Sequence, residues 1–401
     1  MTHAIASQHA TPEGVIDLAR GDPSPDFLPL DAVRDAAARI TADGDVNLLQ
    51  YGHEPGDPAF RELLAATFGG SDGDPERWFV TPGASAALSL ICTLFAGRGD
   101  GVVVADPSYH LALRTFRDHG LQVRSVPSDD GGPDPEAWAA ALTEPVPGGG
   151  RVALAYLVPA FGNPTGVTLA SERARHLTEA CALHGVRLIA DEVYRPLALD
   201  GDPPPSLAAA DAEPASEVVL ALGSVSKFLS PALRVGWIHG PARDLRRLAD
   251  AGLLRSGGGM NPFTAAIVHE LLRSGAAQER LHAVRAELRS RRDALHAALR
   301  RELPDATFVP AEGGYFAWVR TPGVRIGVEE GAGADGGVAE ALRRHRVVVA
   351  PGMRFVADAR RAPDAAERAR LSFGHEPPER LAEAVVRLAA AVRASAEASP
   401  T

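Results

Sequence analysis

RVALAYLVPAFGNPTGVTLASERARHLTEACALHGVRLIADEVY, residues 151–194, carries the clearest sign of the protein's architecture. Two runs rich in Val, Leu and Ile, at 151–159 and 186–192, lie on either side of a helical pattern at 171–185. Parallel strands need a long crossover connection, which is usually a helix. This stretch therefore predicts a β-α-β unit of an α/β fold.

The same alternation of strand and helix patterns continues through most of the chain. Other strand-like runs before residue 230 are WFV (78–80), GVVVADP (101–107), LQVRSVP (121–127) and EVVLALGSVS (217–226). A chain of 401 residues is too long for one simple core. We expect a large domain at 46–284, with a mostly parallel sheet of the seven-stranded type.

A different pattern begins near residue 260. A long helical segment at 263–303 precedes three strand-like runs, EGGYFAWVR (312–320), RVVVAPG (346–352) and RARLSFG (368–374). A closing helix is predicted at 379–395. We expect residues 285–401, joined by residues 1–45, to form a smaller α+β domain.

The overall composition excludes several kinds of partner. The net charge is −10, the isoelectric point is about 5.7 and no basic block occurs, so we expect no nucleic-acid partner. No apolar run of about 18 residues and no secretion signal occur, which predicts no membrane contact and a cytoplasmic location. Cys92 and Cys181 lie in apolar helical patterns and are expected to be buried thiols. No histidine pair has metal-ligand spacing, so we expect no metal site.

One residue type is almost missing from the chain. Lys227 is the only lysine among 41 lysine and arginine residues, and it lies in SVSKFLSPALRVGWI at 224–238. A composition rich in Arg and Ala accounts for the scarcity of lysine, but not for the position of the one that remains. Arginine can replace lysine as a surface charge but not as a nucleophilic amine. The pattern therefore predicts a chemical role for the Lys227 amine.

Unusual polar residues and glycines follow several of the predicted strands. They are, in order, Thr81, Gly83, Ser85, Asp106, Tyr109, Asn163, Asp191, Tyr194, Ser224, Ser226 and Arg234. Ligands of parallel α/β sheets bind at the carboxyl ends of the strands, where these residues would meet. Pyridoxal 5′-phosphate (PLP) needs a lysine amine for its aldehyde, a carboxylate for its ring nitrogen, and Ser, Arg and backbone amides for its phosphate. The set therefore predicts a PLP site.

The order and spacing of these motifs make the chain resemble a known family. NPTG (163–166), DEVY (191–194) and SVSK (224–227), followed by Arg234, resemble the motifs of the fold-type-I PLP-dependent aminotransferases (class I/II, aspartate aminotransferase-like). The resemblance extends from IDLARGDPSPDFLP (16–29) to RARLSFG (368–374). Within the family, LQYGHEPGDPAFRELL (49–64) is most similar to the 2-aminoadipate/branched-chain aminotransferase-like subgroup.

The resemblance implies a set of roles around the cofactor ring. Lys227 would form the internal aldimine with PLP and then act as the base that moves the α-proton of the substrate. Asp191 would pair with the pyridinium nitrogen, and Tyr109 would stack on the ring. Asn163 and Tyr194 would form hydrogen bonds with the ring oxygen.

The resemblance also implies sites for the phosphate and the substrate. The phosphate would be held by Ser85, Ser224, Ser226 and Arg234 and by the amides of Gly83 and Ala84. Tyr51 would reach the phosphate of a neighbouring subunit, so the expected assembly is a homodimer with shared active sites. Arg370, with Asn163 and the backbone at Gly21, would bind the α-carboxylate of the substrate.

The expected enzyme is a PLP-dependent aminotransferase acting on an α-amino acid and a 2-oxo acid by a ping-pong mechanism. The chain departs from the family pattern at Phe228, Gly162 and the run Gly257–Gly259. These departures keep a second hypothesis open, in which PLP supports elimination, replacement or C–C bond formation on an amino acid or S-adenosylmethionine. A third is an effector-sensing domain of a transcription regulator, which is disfavoured because only 50 residues precede Tyr51 and that segment is not basic overall.

Simpler roles are open for some of these residues. Ser85 is also a common type of helix cap, and Tyr109 is also a common type of core aromatic. For Arg370, one arginine among many, an ordinary salt bridge is the default role. Glu192 is expected to be structural.

Overall fold

The computed structural model describes residues 11–42, 44–70, 73–208, 217–259, 261–326, 338–358 and 363–398. Its strands are β1 (Ile16–Asp17), β2 (Trp78–Thr81), β3 (Gly101–Asp106), β4 (Gln122–Asp129), β5 (Gly132–Pro133), β6 (Val152–Leu157), β7 (Arg187–Asp191), β8 (Val219–Ser224), β9 (Gly236–His239), β10 (Phe316–Arg320), β11 (Val347–Val348), β12 (Ala350–Pro351) and β13 (Arg368–Ser372). Its helices are α1 (Leu30–Ala42), α2 (Pro58–Phe68), α3 (Ala84–Phe95), α4 (His110–Asp118), α5 (Pro135–Thr143), α6 (Ser171–Leu183), α7 (Ala242–Ala249), α8 (Gly252–Gly257), α9 (Pro262–Arg273), α10 (Ala276–Glu302), α11 (Val338–Arg344) and α12 (Pro378–Ala398).

The main sheet has eight strands in the order β2-β9-β8-β7-β6-β3-β4-β5. The run from β8 to β4 is parallel, whereas β9 is antiparallel to both of its neighbours and β5 is antiparallel to β4. The inner parallel strands β3, β6, β7 and β8 are mostly apolar because helices cover both faces of the sheet, whereas β4 carries more polar residues. The expected α/β fold with a mostly parallel sheet is confirmed, and the two-residue β5 extends seven longer strands to eight.

Alternate side chains of the main sheet enter two separate cores. Tyr156 and Ile189 pack on the face covered by α3 and α4, whereas Ala155 and Leu188 pack on the face covered by α5 and α6. Since β3, β6, β7 and β8 are parallel, their carboxyl ends lie along one edge of the sheet. That edge carries Asp191 at the end of β7 and Ser224 at the end of β8.

Smaller sheets form from the two ends of the chain. β10, β13 and β12 make an antiparallel three-stranded sheet, and β1 pairs in parallel with β11. The prediction of one continuous strand at 346–352 is wrong, because β11 and β12 join different sheets. The expected boundary between residues 284 and 285 falls inside α10 (Ala276–Glu302), and the division into two domains stays a prediction.

Candidate active site

Lys227 lies three residues beyond the end of β8, with its amine directed at the amino-terminal segment. Its Nζ donates a hydrogen bond to the carbonyl oxygen of Gly21 at 2.7 Å. Burial lowers the pKa of Lys227 to about 8, and the positive charge of Arg370 adds to this effect. A large fraction of the amine is therefore neutral near pH 8, which is the form that attacks an aldehyde.

Asp191 ends β7 and is buried, with its two carboxyl oxygens in different situations. Oδ2 accepts a hydrogen bond from the hydroxyl of Tyr156 at 2.8 Å. Oδ1 is buried and has no hydrogen-bond partner among the residues that the structure describes. Burial raises the pKa of Asp191, with the hydrogen bond from Tyr156 opposing that shift. The free oxygen is thus available to a protonated donor.

Arg370 and Asn163 meet although they are 207 residues apart in the sequence. The Nη1 of Arg370 donates to Asn163 Oδ1 at 2.9 Å, and Nη2 donates to the carbonyl oxygen of Ala19 at 2.5 Å. The guanidinium lies 4.0 Å from the centre of the Phe316 ring, and burial lowers the pKa of Arg370 to about 10. A Cβ at Gly21 would lie 3.9 Å from both terminal nitrogens of Arg370, so the backbone there borders the same guanidinium.

A second group of predicted residues surrounds the amino end of α3. Gly83 precedes that helix with φ +88°, and Arg234 is left-handed with φ +51°. Arg234 Nη2 donates to the carbonyl oxygen of Pro82 at 3.0 Å, which holds the guanidinium beside Gly83. Ser224 Oγ lies 2.9 Å from Ser226 Oγ and accepts a hydrogen bond from the Ser226 amide at 3.1 Å. Ala84 and Ser85 form the first turn of α3, and the Ser85 side chain is exposed.

Two of the predicted tyrosines lie close to the lysine and the aspartate. The ring of Tyr194 is buried, and its centre is 5.5 Å from Lys227 Nζ. Tyr109 precedes α4 and is half-buried. Burial and the charge of Asp191 raise the pKa of Tyr109 to about 12, so both groups belong to one electrostatic environment.

Tyr51 stands apart from the other predicted residues. Its side chain is 79% exposed. Its backbone packs against Gly258, where a Cβ would lie 2.5 Å from Tyr51 Cβ. Gly258 and Gly259 thus have a local packing role beneath residues 51–53, whereas a Cβ at Gly257 would meet nothing within 4 Å. Within one chain, the exposed Tyr51 side chain lies outside the Lys227 group, by which we mean Lys227, Asp191, Tyr194, Asn163 and Arg370.

Two further residues contact this group and were not among the sequence predictions. Tyr156 donates to Asp191, and the hydroxyl of Tyr315 donates to the backbone carbonyl of Lys227 at 2.5 Å. A tyrosine inside the apolar run RVALAYLVP was the available signal for Tyr156, because a buried hydroxyl needs a hydrogen-bond partner. The neighbouring GGYF motif was the corresponding signal for Tyr315.

The departures from the family pattern have packing explanations. Phe228 is buried, and its ring centre lies 6.5 Å from that of Phe68 in the core below the lysine. At Gly162 a Cβ would lie 2.8 Å from Thr165 Oγ1, so a side chain there would displace that hydroxyl of the NPTG loop. Neither residue contributes a polar group to the candidate site.

Other predicted features concern the rest of the molecule. Cys92 and Cys181 are free and buried, and burial raises the pKa of each thiol to about 12. Within the described ranges, no cluster of three or more His, Cys, Asp or Glu residues is arranged to hold a metal ion. None of the described helices is long and apolar enough to cross a membrane. A cavity of about 510 Å³, lined by Asp106, Trp318 and Arg368 among others, contains no member of the Lys227 group.

The site and fold agree with one protein family. The family model described as aminotransferase class I and II matches residues 13–388. The chain therefore belongs to the class I and II aminotransferases, and it is a PLP-dependent enzyme.

Individual relatives are similar along most of the chain. A 2-aminoadipate transaminase of Thermus thermophilus is 31% identical over 383 residues, which cover 95% of this chain and 90% of that protein. The crystal structure of an alpha-aminoadipate aminotransferase from Thermus thermophilus, complexed with N-(5′-phosphopyridoxyl)-L-leucine, has a TM-score of 0.82 at 29% identity. That similarity covers 96% of this chain and 94% of the other. An uncharacterized HTH-type transcriptional regulator of Bacillus subtilis is 32% identical over 312 residues, which cover 76% of this chain and 61% of that protein.

Proposed function

We propose that the protein transfers an amino group from an α-amino acid to PLP bound at Lys227, and then from the cofactor to a 2-oxo acid. The two half-reactions would follow a ping-pong sequence. One observation carries the proposal: a lysine amine with a pKa near 8, a buried carboxylate oxygen without a partner and a buried guanidinium occur in one site.

The residues of the site fit PLP. The unpartnered Oδ1 of Asp191 would be satisfied by a protonated ring nitrogen, since buried carboxylate oxygens require a donor. The α3 amino terminus, Arg234, Ser224 and Ser226 supply several donors for a phosphate. Asn163, Tyr194 and Tyr109 would border the ring. When bound, PLP supplies an aldehyde that condenses with amines and a ring that accepts electrons from the α-carbon.

Lys227 is proposed both to hold the cofactor and to move the α-proton. Its hydrogen bond to the Gly21 carbonyl keeps the amine beside the Arg370 guanidinium, where the substrate would be anchored. The hydrogen bond from Tyr315 to its backbone carbonyl fixes the base of the side chain. Because its pKa lies close to 8, the amine can accept and return a proton at ordinary pH.

Arg370 is proposed to bind the α-carboxylate of the substrate. Asn163 fixes one edge of the guanidinium, and the rings of Phe316 and Phe355 lie 4.0 and 4.9 Å from it. Burial strengthens a charge-assisted pair by excluding water. The related 2-aminoadipate transaminase and the leucine conjugate in the related structure support α-amino acids as the substrate class.

We also propose that the site lies between two domains, residues 46–284 and residues 1–45 with 285–401. Asp191 and Lys227 belong to the main sheet and the loop after it. Gly21 and Arg370 come from the two ends of the chain. The Gly21 carbonyl accepts a hydrogen bond from Lys227, and the Gly21 backbone borders the Arg370 guanidinium. Relative movement of the two parts would therefore change the distance between the lysine and the carboxylate site.

A homodimer is proposed on the basis of an exposed apolar surface around Tyr51. Val46, Leu49, Tyr51 and Leu253 are each at least 67% exposed. The segment that carries the first three packs against Gly258 and the start of α9, next to the helix that carries Leu253. Adjacent exposed apolar side chains mark protein contacts, and a second copy would cover them. Ser85 and Arg234, which are exposed in one chain, would then receive Tyr51 from the other subunit.

The reaction can be tested with the purified holoprotein. Incubation with single amino acids should give pyridoxamine 5′-phosphate and the matching 2-oxo acid, both measured by mass spectrometry. A second incubation with a different 2-oxo acid should regenerate PLP. Lys227→Arg keeps a positive charge but removes the amine, so it should give neither product. Regenerated PLP with loss of a β- or γ-substituent, and no 2-oxo acid of the intact substrate, would overturn transamination in favour of elimination.

A further inference from the structure

The hydrogen bond between Tyr156 and Asp191 connects two neighbouring strands at the candidate site. Tyr156 on β6 is paired with Ile189 on β7, and Asp191 lies two residues further along β7. Since side chains alternate along a strand, Ile189 and Asp191 share one face with Tyr156. The short distance of 2.8 Å therefore follows from the register of the parallel pair.

Tyr156 is held so that its hydroxyl has few alternatives. The side chain is fully buried, and its ring packs edge-on against Phe116 with centres 5.4 Å apart. Burial and the charge of Asp191 raise the pKa of Tyr156 well above its usual value, so the phenol keeps its proton. A protonated phenol beside a carboxylate is a donor, and it stabilises the ionised form of that carboxylate.

The other groups around the Asp191 carboxylate influence its charge in different directions. Lys227 favours its charge from a distance, while Glu192 opposes it and the amide of Val193 supports it. Tyr109 and Tyr194 also lie within electrostatic range of Asp191. Of these groups, Tyr156 donates the side-chain hydrogen bond, and it reaches Oδ2 while Oδ1 stays without a partner in the described part of the chain.

We propose that Tyr156 is a positioning residue that occupies one oxygen of Asp191, leaves the other for the ring nitrogen of the cofactor and keeps the shared proton on that nitrogen. This inference rests on the proposed PLP function. A carboxylate that receives a hydrogen bond is a weaker base, so the proton between it and the ring favours the ring. Without the hydroxyl, Asp191 competes better for that proton, and the ring becomes a poorer electron acceptor.

The test uses PLP labelled with ¹⁵N in the ring and bound to the full-length protein. The ¹⁵N chemical shift reports whether the ring nitrogen carries a proton, independently of turnover. The wild-type shift should be that of a protonated ring. In Tyr156→Phe it should move toward the unprotonated value, and the dissociation constant for PLP should rise by about tenfold because Oδ2 loses its donor.

Three further proteins separate positioning from a merely structural role. Thr178→Val removes another buried hydroxyl, one that donates only to the backbone of α6, and should leave the ¹⁵N shift unchanged. In an Asp191→Asn background, Tyr156→Phe should have no added effect on the shift. Fluorotyrosine at position 156 keeps the shape of tyrosine but donates more strongly, so the ring should stay protonated to a higher pH than in the wild type, a response that can be measured even if Tyr156→Phe does not fold.

The possible results are distinct. A protonated ring in both wild type and Tyr156→Phe, together with no response to fluorotyrosine, would overturn this inference and leave the proposed function intact. A wild-type protein that does not bind PLP covalently at Lys227 would overturn the proposed function itself.

Discussion

The amine of Lys227 should capture PLP faster as the pH rises. Burial, with the charge of Arg370, lowers its pKa to about 8, and only the neutral amine attacks the aldehyde. The rate of cofactor capture by the apoprotein should therefore increase with pH, with its midpoint at about pH 8, as measured by stopped-flow absorbance. Arg370→Gln removes one of the positive charges, so the midpoint should move upward. An unchanged midpoint in that variant would contradict the coupling of the two residues.

Arg370 should be needed for amino-acid substrates much more than for the cofactor. Lysine at this position keeps the charge but loses the planar fork that matches a carboxylate. Because a hydrogen bond to a charged group contributes about 1.5–3 kcal/mol, Arg370→Lys should lower kcat/KM by roughly 10- to 100-fold. Capture of PLP should be retained. Arg354, an exposed arginine close enough to influence Arg370, gives the control Arg354→Lys, for which equal loss would argue against a specific role of Arg370.

At the level of elements, the turn from β2 into α3 should be the part most sensitive to added volume. A Cβ at Gly83 would lie 2.6 Å from Arg234 Nη2, and the residue has φ +88°. Gly83→Ala should therefore displace Arg234 and raise the dissociation constant for PLP by about tenfold or more, measured by equilibrium titration.

Gly99 offers a matched control for that prediction. It has φ +89°, but a Cβ added there would meet nothing within 4 Å. Gly99→Ala also places a side chain at positive φ, at a cost of about 1–3 kcal/mol, without the contact to an arginine. It should lower thermal stability and leave cofactor affinity unchanged. Equal changes of affinity in the two variants would show that strain, and not the contact with Arg234, is responsible.

Elements with strong periodic patterns could be predicted from the sequence, and short ones could not. The parallel strands β3, β6, β7 and β8 are apolar runs, so their existence follows from the sequence pattern, whereas their order in the sheet was not predicted. β9 was not predicted, because GWIH is four residues long and begins with glycine. The contact of Arg370 with Asn163 depends on how β13 packs against the NPTG loop, which no local pattern contains. The family motifs, not periodicity, supplied the role expected for Arg370.

The molecule as a whole should be a dimer in solution through the surface around Tyr51. Leu49 is 78% exposed, and Leu49→Asp would place a charge in the proposed interface. Light scattering after size exclusion should show a shift from dimer toward monomer, with weaker PLP binding because each site loses Tyr51 of the other subunit. Leu183→Asp changes an equally exposed leucine, 81% exposed at the end of α6, and should leave the mass unchanged. A monomeric wild type, or dissociation by Leu183→Asp alone, would contradict this placement.

Because Lys227 is the only lysine, the active sites can be counted by titrating the protein with an amine reagent. A reagent that modifies ε-amines has a single side-chain target in 401 residues, and that target is the group proposed to bind the cofactor. The stoichiometry of side-chain labelling would then count competent sites in any preparation. Protection from the label would measure the fraction already occupied by PLP, without a substrate and without a radioactive cofactor.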